Sequence, residues 1–189
     1  LYRGLMLGLA TGITNTSYQW QPNFVGADLK LWLRNGVGQT FNDTDVSRWD
    51  DSSGNGNYVS QSDADKQGAA SGGGIDFEKD DDHHYDFNAA VQIGVQEAFM
   101  AFFVLNLETV AAAGLLGEST AAFIELTNNK KLKFKTTGTG GANVTAQAAS
   151  GTPFATGSKF VLGVKRDSGA TGNIHMYKNG TLITPVSQL

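Results

Sequence analysis

The sequence predicts an all-β protein built as an antiparallel sandwich or jelly roll, and two observations lead to this prediction. Charged residues make up only 17% of the 189 residues, whereas glycine occurs 24 times. Short apolar or alternating runs recur at turn spacing along the chain, and no long helical period is visible beyond the N-terminus. A chain of this length is long enough to bury a core of its own.

Composition excludes several functions. The formal net charge of −4 argues against a nucleic-acid-binding surface, which needs clustered lysine and arginine. The absence of cysteine excludes disulfides and thiolate metal sites. No run reaches the roughly 20 apolar residues that a membrane span needs. We therefore expect neither a nucleic-acid partner nor a membrane-inserted segment.

Residues 1–21 form a distinct N-terminal segment that is too apolar to be a free tail. Two rows recur there every four residues, one of glycine (Gly4, Gly8, Gly12) and one of apolar residues (Leu1, Leu5, Leu9, Ile13). On a helix these rows would permit close packing against another helix, but Leu5, Leu7 and Leu9 would serve equally well in a strand. The segment is either a terminal element packed on its own domain or a docking arm into a larger assembly.

The first half of the chain predicts four short strands, at residues 29–33, 46–49, 58–61 and 75–77. In the first of them, Leu29, Leu31 and Leu33 share one face and Trp32 lies on the other. Residues 62–74 are rich in Ser, Ala and Gly, which predicts a surface loop.

The second half predicts a longer set of strands. Residues 97–107 carry bulky apolar side chains on both faces, which is typical of a central strand buried on both sides. Hairpin-spaced strands are then predicted at residues 115–118, 122–126, 131–136 and 160–165. Strands at 174–177 and 181–183 flank Asn179 and Gly180. Both of these residues tolerate positive φ and so predict a type I′ turn.

The most informative run is Val46 to Asn57. A short alternating strand ends on the large ring of Trp49, and a series of small or polar residues follows. Asp and Ser side chains bond their own backbone, and Gly and Asn tolerate positive φ, so the run predicts a tightly wound loop. Trp49 is then a core anchor or, in a functional interpretation, a platform on which a sugar stacks.

This run resembles the W-x-D-x-S-G-N-G-N signature of concanavalin A-like lectin/glucanase domains of the laminin-G type. The matching residues are Trp49, Asp51, Ser53, Gly54, Asn55, Gly56 and Asn57. Three further elements resemble the family in the right order, namely the L-x-L-W-L strand at 29–33, residues 74–82, and the Y-x-N-G hairpin containing Asn179 and Gly180. The resemblance implies a jelly-roll domain over residues 22–189 that lacks the family's last core strand, preceded by the unmatched residues 1–21.

Residues 78–86 form the densest polar cluster. Carboxylates and imidazoles are metal-ligand types, and calcium, which occurs in many laminin-G-type domains, would favour Asp80, Asp81 and Asp82. The alternatives are a solvated loop or a transition-metal site, because consecutive residues of a strand point to opposite faces. His83, His84 and Tyr85 offer a candidate stacking platform for a glycan. No cofactor other than calcium is suggested.

Nothing in the sequence predicts an enzyme. Glycosidases use a pair of carboxyls about 5 to 9 Å apart. The E-x-D-x-x-E strand of the laminarinase-type glucanases of this superfamily does not occur here. Glu118 and Glu125 are seven residues apart and would face opposite sides of an unbroken strand. A Gly-x-Ser-x-Gly nucleophile elbow is also absent.

The resemblance implies a non-enzymatic structural or adhesive protein of a virion, because laminin-G-like jelly rolls are common on bacteriophage capsid, fibre and tail proteins. Residues 1–21 would dock into other virion proteins. The jelly roll would face outward, as a capsid decoration, fibre or tail component that could also bind cell-surface glycan. The alternative is a glycan-binding module of a secreted or cell-surface protein. This alternative predicts an exposed aromatic side chain on the concave sheet face or at a loop rim.

Overall fold

The computed structural model describes residues 22–71, 74–78, 80–88, 97–109, 112–117, 123–127, 132–137, 143–148, 154–168, 173–183 and 186–188. The predicted docking arm, residues 1–21, lies outside them. Backbone contacts divide the chain into an N-terminal unit, Leu1–Val91, and a C-terminal unit, Gln92–Leu189. Helical structure in the described residues is limited to two short 3-10 segments, Pro22–Asp28 and Ala64–Lys66. No helix there is long and apolar enough to cross a membrane.

The N-terminal unit contains one antiparallel sheet. Its strands are β1 (Gln39–Asn42), β2 (Asp45–Asp50), β3 (Tyr58–Ser60), β4 (Ala69–Ser71), β5 (Gly74–Asp76) and β6 (Asp86–Phe87). The strands lie in the order β5-β4-β2-β3-β6, and β1 also pairs with β2. Val46 of β2 is fully buried and Val59 of β3 is nearly so. The buried apolar side chains of this sheet therefore lie on two of its inner strands.

The C-terminal unit contains two antiparallel sheets. Its strands are β7 (Phe99–Leu105), β8 (Ala113–Gly117), β9 (Phe123–Leu126), β10 (Leu132–Thr137), β11 (Asn143–Ala148), β12 (Phe160–Arg166), β13 (Ile174–Lys178), β14 (Thr181–Leu182) and β15 (Val186–Gln188). One sheet has the order β15-β11-β10-β9-β8 and the other the order β14-β13-β12-β7.

The two sheets of the C-terminal unit enclose one apolar core. In β9, β10, β12 and β13 alternate side chains point inward, because the side-chain period of a strand is two. The buried rows come from β9, β10, β12 and β13, and they comprise Ile124, Leu126, Leu132, Phe134, Phe160, Leu162, Val164, Ile174 and Met176. Phe99 of β7 and Phe134 of β10 bring their ring centroids to 5.4 Å across this core. The predicted all-β sandwich is therefore confirmed, and its jelly-roll topology stays a prediction.

The predicted hairpin near the C-terminal end is confirmed. Asn179 and Gly180 join β13 to β14 with φ values of 50° and 79°, as a type I′ turn requires. The Asn179 backbone N–H donates to the Val161 carbonyl, and its side-chain oxygen accepts from the Val161 N–H, each at 2.8 Å. The turn therefore also fixes the neighbouring strand β12. The sequence did not predict β15, which follows this hairpin and pairs with β11.

Two strand predictions were wrong. Residues 29–33 do not form a strand, and they contribute only an isolated bridge between Leu33 and Asp51. The strand at 97–107 is shorter, Phe99–Leu105, and it is not buried on both faces. Its second apolar row, Met100, Phe102 and Val104, is at least half exposed. Within the described residues β7 pairs only with β12, so it is also an edge strand.

Truncating a side chain in the inward row of β12 should lower the stability of the C-terminal unit. Leu162 is fully buried between the two sheets, whereas its neighbour Val161 points outward and is 41% exposed. We expect Leu162→Ala to lower the free energy of unfolding by about 2 to 5 kcal/mol and Val161→Ala by much less. Urea denaturation followed by circular dichroism measures both; equal losses would contradict the assigned strand faces.

Candidate functional site

The signature loop has a structural role that centres on Asp51. The carboxylate of Asp51 accepts hydrogen bonds from the backbone N–H of Trp32 at 2.7 Å and from the N–H of Ser53 at 2.8 Å. It also accepts a short bond from the Ser53 hydroxyl. Bonds from several donors to one charged acceptor are strong, so Asp51 ties the segment before β1 to the loop after β2.

The two asparagines of the signature extend this connection. The Asn55 side-chain amide donates to the carbonyls of Leu29 and Lys30 at 2.7 and 3.1 Å, and the Asn57 amide donates to Lys30 at 3.3 Å. Gly54 and Gly56 take positive φ values of 93° and 73°, which the tight path of the loop requires. Residues 29–33 therefore bond mainly to side chains, which is why they do not pair as the predicted strand.

The Trp49 side chain is held by a hydrogen bond to the segment before β1. Its indole N–H donates to the Arg34 carbonyl at 2.8 Å, and the residue is half-buried. The backbone of Trp49 lies in β2 opposite Val59 of β3. Trp49 is therefore held by the fold but lies outside the buried core, and its role as a stacking platform for a sugar stays a prediction.

The predicted glycan-binding histidines are held by local hydrogen bonds. His83 Nδ1 accepts from the Glu78 N–H at 3.0 Å, so its proton belongs on Nε2. His84 Nδ1 lies 2.7 Å from the Asp82 carbonyl and therefore carries the proton there. The Nε2 atom of His84 then accepts from the Gln61 side-chain amide at 3.1 Å. These bonds fix both rings within the loop.

The third predicted glycan-binding residue, Tyr85, connects distant parts of the N-terminal unit. Its hydroxyl donates to the Val46 carbonyl and accepts from the Gly68 N–H at 3.1 Å. Burial raises the pKa of this hydroxyl above its ordinary value. The ring meets Phe77 edge to face with centroids 5.6 Å apart. Tyr85 is thus used by the fold, and its role in glycan binding stays a prediction.

The predicted calcium ligands Asp80, Asp81 and Asp82 lie exposed in a turn. Asp81 Oδ2 lies 3.8 Å from His83 Nε2. Within the described part of the chain, no three His, Asp or Glu side chains that include one of these aspartates bring their ligand atoms within 4.8 Å of one another. A calcium ion here would need further ligands from backbone carbonyls or water.

The structure displays a surface that the sequence did not predict, the outward side of the four-stranded sheet. We call it the outer face, and it comprises Met100, Phe102, Val104, Val161, Gly163, Lys165, His175, Tyr177 and Leu182, with Asp167 at its end. Met100 is 50% exposed, Phe102 58% and Val104 73%. Large contiguous patches of exposed apolar side chains are uncommon on monomeric proteins, and they commonly belong to interaction surfaces.

Gly163 forms the centre of the outer face. It pairs with Phe102 of β7 on one side and with Tyr177 of β13 on the other. A Cβ atom added to Gly163 would lie 3.5 Å from the Phe102 ring and 3.6 Å from Tyr177 Cβ. The Phe102 ring therefore packs against Gly163, which is itself buried, and Tyr177 lies on the other side of the glycine.

A polar network lies beside the aromatic residues of the outer face. Asp167 accepts from Lys165 Nζ at 2.6 Å and from His175 Nε2 at 3.0 Å. The hydrogen bond from Lys165, and then that from His175, holds the pKa of the Asp167 carboxyl below its ordinary value. The His175 ring stacks on Tyr177 with centroids 6.5 Å apart. Polar groups and aromatic rings thus lie side by side on one sheet face.

Removing the Asp51 carboxylate should loosen the signature loop. Asp51→Ala leaves the N–H groups of Trp32 and Ser53 without their acceptor, which we expect to cost about 1 to 3 kcal/mol of stability in the N-terminal unit. Amide exchange at these two residues should accelerate. Asp50→Ala is the matched control, because the Asp50 side chain pairs with the exposed Arg48. Unchanged exchange in the Asp51 variant would rule out the assigned bonds.

Replacing Lys165 with Met should raise the pKa of Asp167 toward its ordinary value, because the largest cause of its depression is lost. The folded-state pKa lies below the unfolded one, so the pairing stabilises the fold above the unfolded pKa. That contribution disappears as the pH falls through the folded pKa. Carboxyl ¹³C shifts followed by NMR titration measure the midpoint, with Lys159→Met as the control. An unshifted midpoint in the Lys165 variant would refute the pairing.

Comparisons of the chain with protein-family models, with curated protein sequences and with solved structures find no match. The resemblance to laminin-G-type domains therefore stays a prediction from the sequence motifs. The structure shows an all-β fold with one exposed sheet face that is aromatic and partly polar.

Proposed function

We propose that this chain is a non-enzymatic adhesive protein whose C-terminal unit binds glycan through the outer face. The observation that carries the proposal is Phe102, which is 58% exposed on the outward side of β7 and lies beside Gly163, with Tyr177 on the far side of this glycine. A large aromatic side chain held in solvent by a rigid strand is the kind of group that stacks on a sugar ring. It supplies apolar contact area with little loss of conformational entropy.

The surroundings of Phe102 suit a ligand with both apolar and hydroxyl-bearing faces. Val161 and Leu182 extend the exposed apolar surface around Phe102. The side chains of Lys165, Asp167 and His175 offer hydrogen-bond donors and acceptors beside it. Binding sites typically combine a broad apolar surface with a few well-placed polar groups. The carboxylate of Asp167 is paired with Lys165, so this border favours a neutral sugar over a strongly ionic ligand.

Charge placement also supports binding without hydrolysis. Glycosidases need two carboxyls about 5 to 9.5 Å apart on either side of the scissile bond. Among the described residues of the outer face, Asp167 is the single carboxylate, and Lys165 and His175 already bond to it. The outer face therefore holds a platform for a sugar but lacks a pair of acids.

The setting of this module follows from the sequence resemblance. We propose a virion component, such as a capsid decoration, fibre or tail protein, that binds other virion proteins through residues 1–21 and displays the outer face to cell-surface glycan. The second setting is a glycan-binding module of a secreted or cell-surface protein. Both settings use the same surface, so one binding experiment addresses the shared function.

Binding of the purified chain to a glycan array tests the proposal. We expect saturable binding to one glycan class and a weakening of about tenfold or more for Phe102→Ala and for Tyr177→Ala, since each removes an aromatic contact. Phe41→Ala is the matched control, because Phe41 is 51% exposed on a strand of the N-terminal unit. Circular dichroism verifies that each variant is folded.

Three outcomes are distinguishable. Binding that survives both outer-face substitutions but is lost when His83, His84 and Tyr85 are replaced would move the site to the N-terminal unit. Binding that is lost in chelator would implicate calcium and Asp80, Asp81 and Asp82. No binding by a folded chain would contradict the adhesive role and leave a structural one.

A further inference from the structure

Strand β7 has the composition of an interior strand and the position of an edge strand. Phe99–Leu105 contains no charged residue and no proline, and all seven of its residues are apolar. Within the described residues it pairs on one side, with β12. Natural edge strands are usually protected by charges, prolines or bulges, because their unpaired backbone groups attract another strand. In the part of the chain that the structure describes, β7 has none of these protections.

The hydrogen bonds between β12 and the hairpin that follows it determine in which direction the backbone groups of β7 point. Val161 directs both its N–H and its carbonyl toward Asn179, with bonds of 2.8 Å in each case. Val161 lies opposite Val104, so these two residues do not exchange hydrogen bonds, and Val104 directs its own backbone groups away from β12. Because this direction alternates along an antiparallel strand, Met100 and Phe102 share it. The three residues with exposed side chains thus also present backbone groups that have no partner strand among the described residues.

The core is also incompletely covered at this edge. The inward residues of the neighbouring strand β12, Leu162 and Val164, are fully buried. The inward residues of β7, which include Phe99 and Phe103, are only half-buried. A further strand beside β7 would cover this flank of the core and satisfy the edge.

We propose that β7 pairs antiparallel with β7 of a second copy of this chain, about a two-fold axis at Phe102. In this register Phe102 lies opposite Phe102 of the second copy, and Met100 lies opposite Val104. Every outward N–H and carbonyl of these residues then finds a partner in the other copy. The two four-stranded sheets become one continuous sheet.

The side chains favour a second copy as the occupant. An antiparallel strand pairs with itself only if opposite positions are compatible, since each contact of a two-fold interface occurs twice. Here the opposed pairs are Met100 with Val104 and Phe102 with itself, which are apolar or aromatic pairs of the kind that stabilise a sheet. No like charges oppose each other between Phe99 and Leu105.

The inference does not rest on the proposed function, but the two are compatible. Side-by-side pairing of strands leaves the outer face uncovered, with Phe102 near its middle. A dimer would then display two copies of the face in one plane, and a ligand that reached both would gain avidity.

Charge substitutions test both the interface and its register. In the proposed register Met100→Lys with Val104→Lys places lysines opposite each other twice, whereas Met100→Lys with Val104→Glu places each lysine opposite a glutamate. We expect sedimentation equilibrium to give twice the chain mass for the wild type and for the Lys/Glu variant, and the single-chain mass for the Lys/Lys variant. Val161→Lys, on the same face but away from the edge, is the matched control and should remain dimeric.

Backbone exchange supplies a second readout that does not depend on substitutions. Amides of Met100, Phe102 and Val104 should become protected as the protein concentration rises. Those of Ala101 and Phe103, which face β12, should be protected at every concentration. A wild-type chain that is monomeric throughout would overturn the proposal, and protected outward amides in such a monomer would assign the edge to a segment of the same chain. A dimer that persists in the Lys/Lys variant would also overturn it, since its interface must lie elsewhere.

Discussion

Burial of the inward row of β12 is the interaction on which the C-terminal unit depends. Phe160, Leu162 and Val164 alternate with outward residues, and this alternation decides which side of the sheet meets the second sheet. Strand β12 pairs with β7 on one side and β13 on the other, so its register fixes both neighbours. A shift of the β12 register by one residue would expose the whole buried row to solvent.

The same alternation creates the outer face. Because Leu162 and Val164 point inward, Gly163 lies on the outward side, where its missing side chain lets the Phe102 ring pack against β12. The exposed row of β7 then offers side chains to a ligand and backbone groups to a partner strand. The proposed adhesion and the proposed self-association thus both depend on β7, which has apolar residues on both faces and lies at the sheet edge among the described residues.

The N-terminal unit relies more on side-chain to backbone bonds than on a large core. Asp51 and Asn55 hold residues 29–33, and the Tyr85 hydroxyl joins Val46 to Gly68. Such bonds suit a chain with few charges and many small polar residues, because Asp, Asn and Ser readily bond nearby backbone groups. The polar residues that the sequence offered as a binding site are in large part the means by which this unit is held together.

Local chemistry let the sequence alone determine the all-β class, the type I′ turn at Asn179 and Gly180, and the strand that contains Leu132 and Phe134. Turn types and a period of two are properties of a few adjacent residues. The exposed side of β7 was decided only by the tertiary structure, because an apolar run looks the same in sequence whether or not a neighbour covers both faces. The bonds that engage Tyr85 were likewise invisible, since its hydroxyl meets backbone groups 39 and 17 residues away along the chain. A candidate site that depends on which side of a sheet stays exposed therefore required the fold.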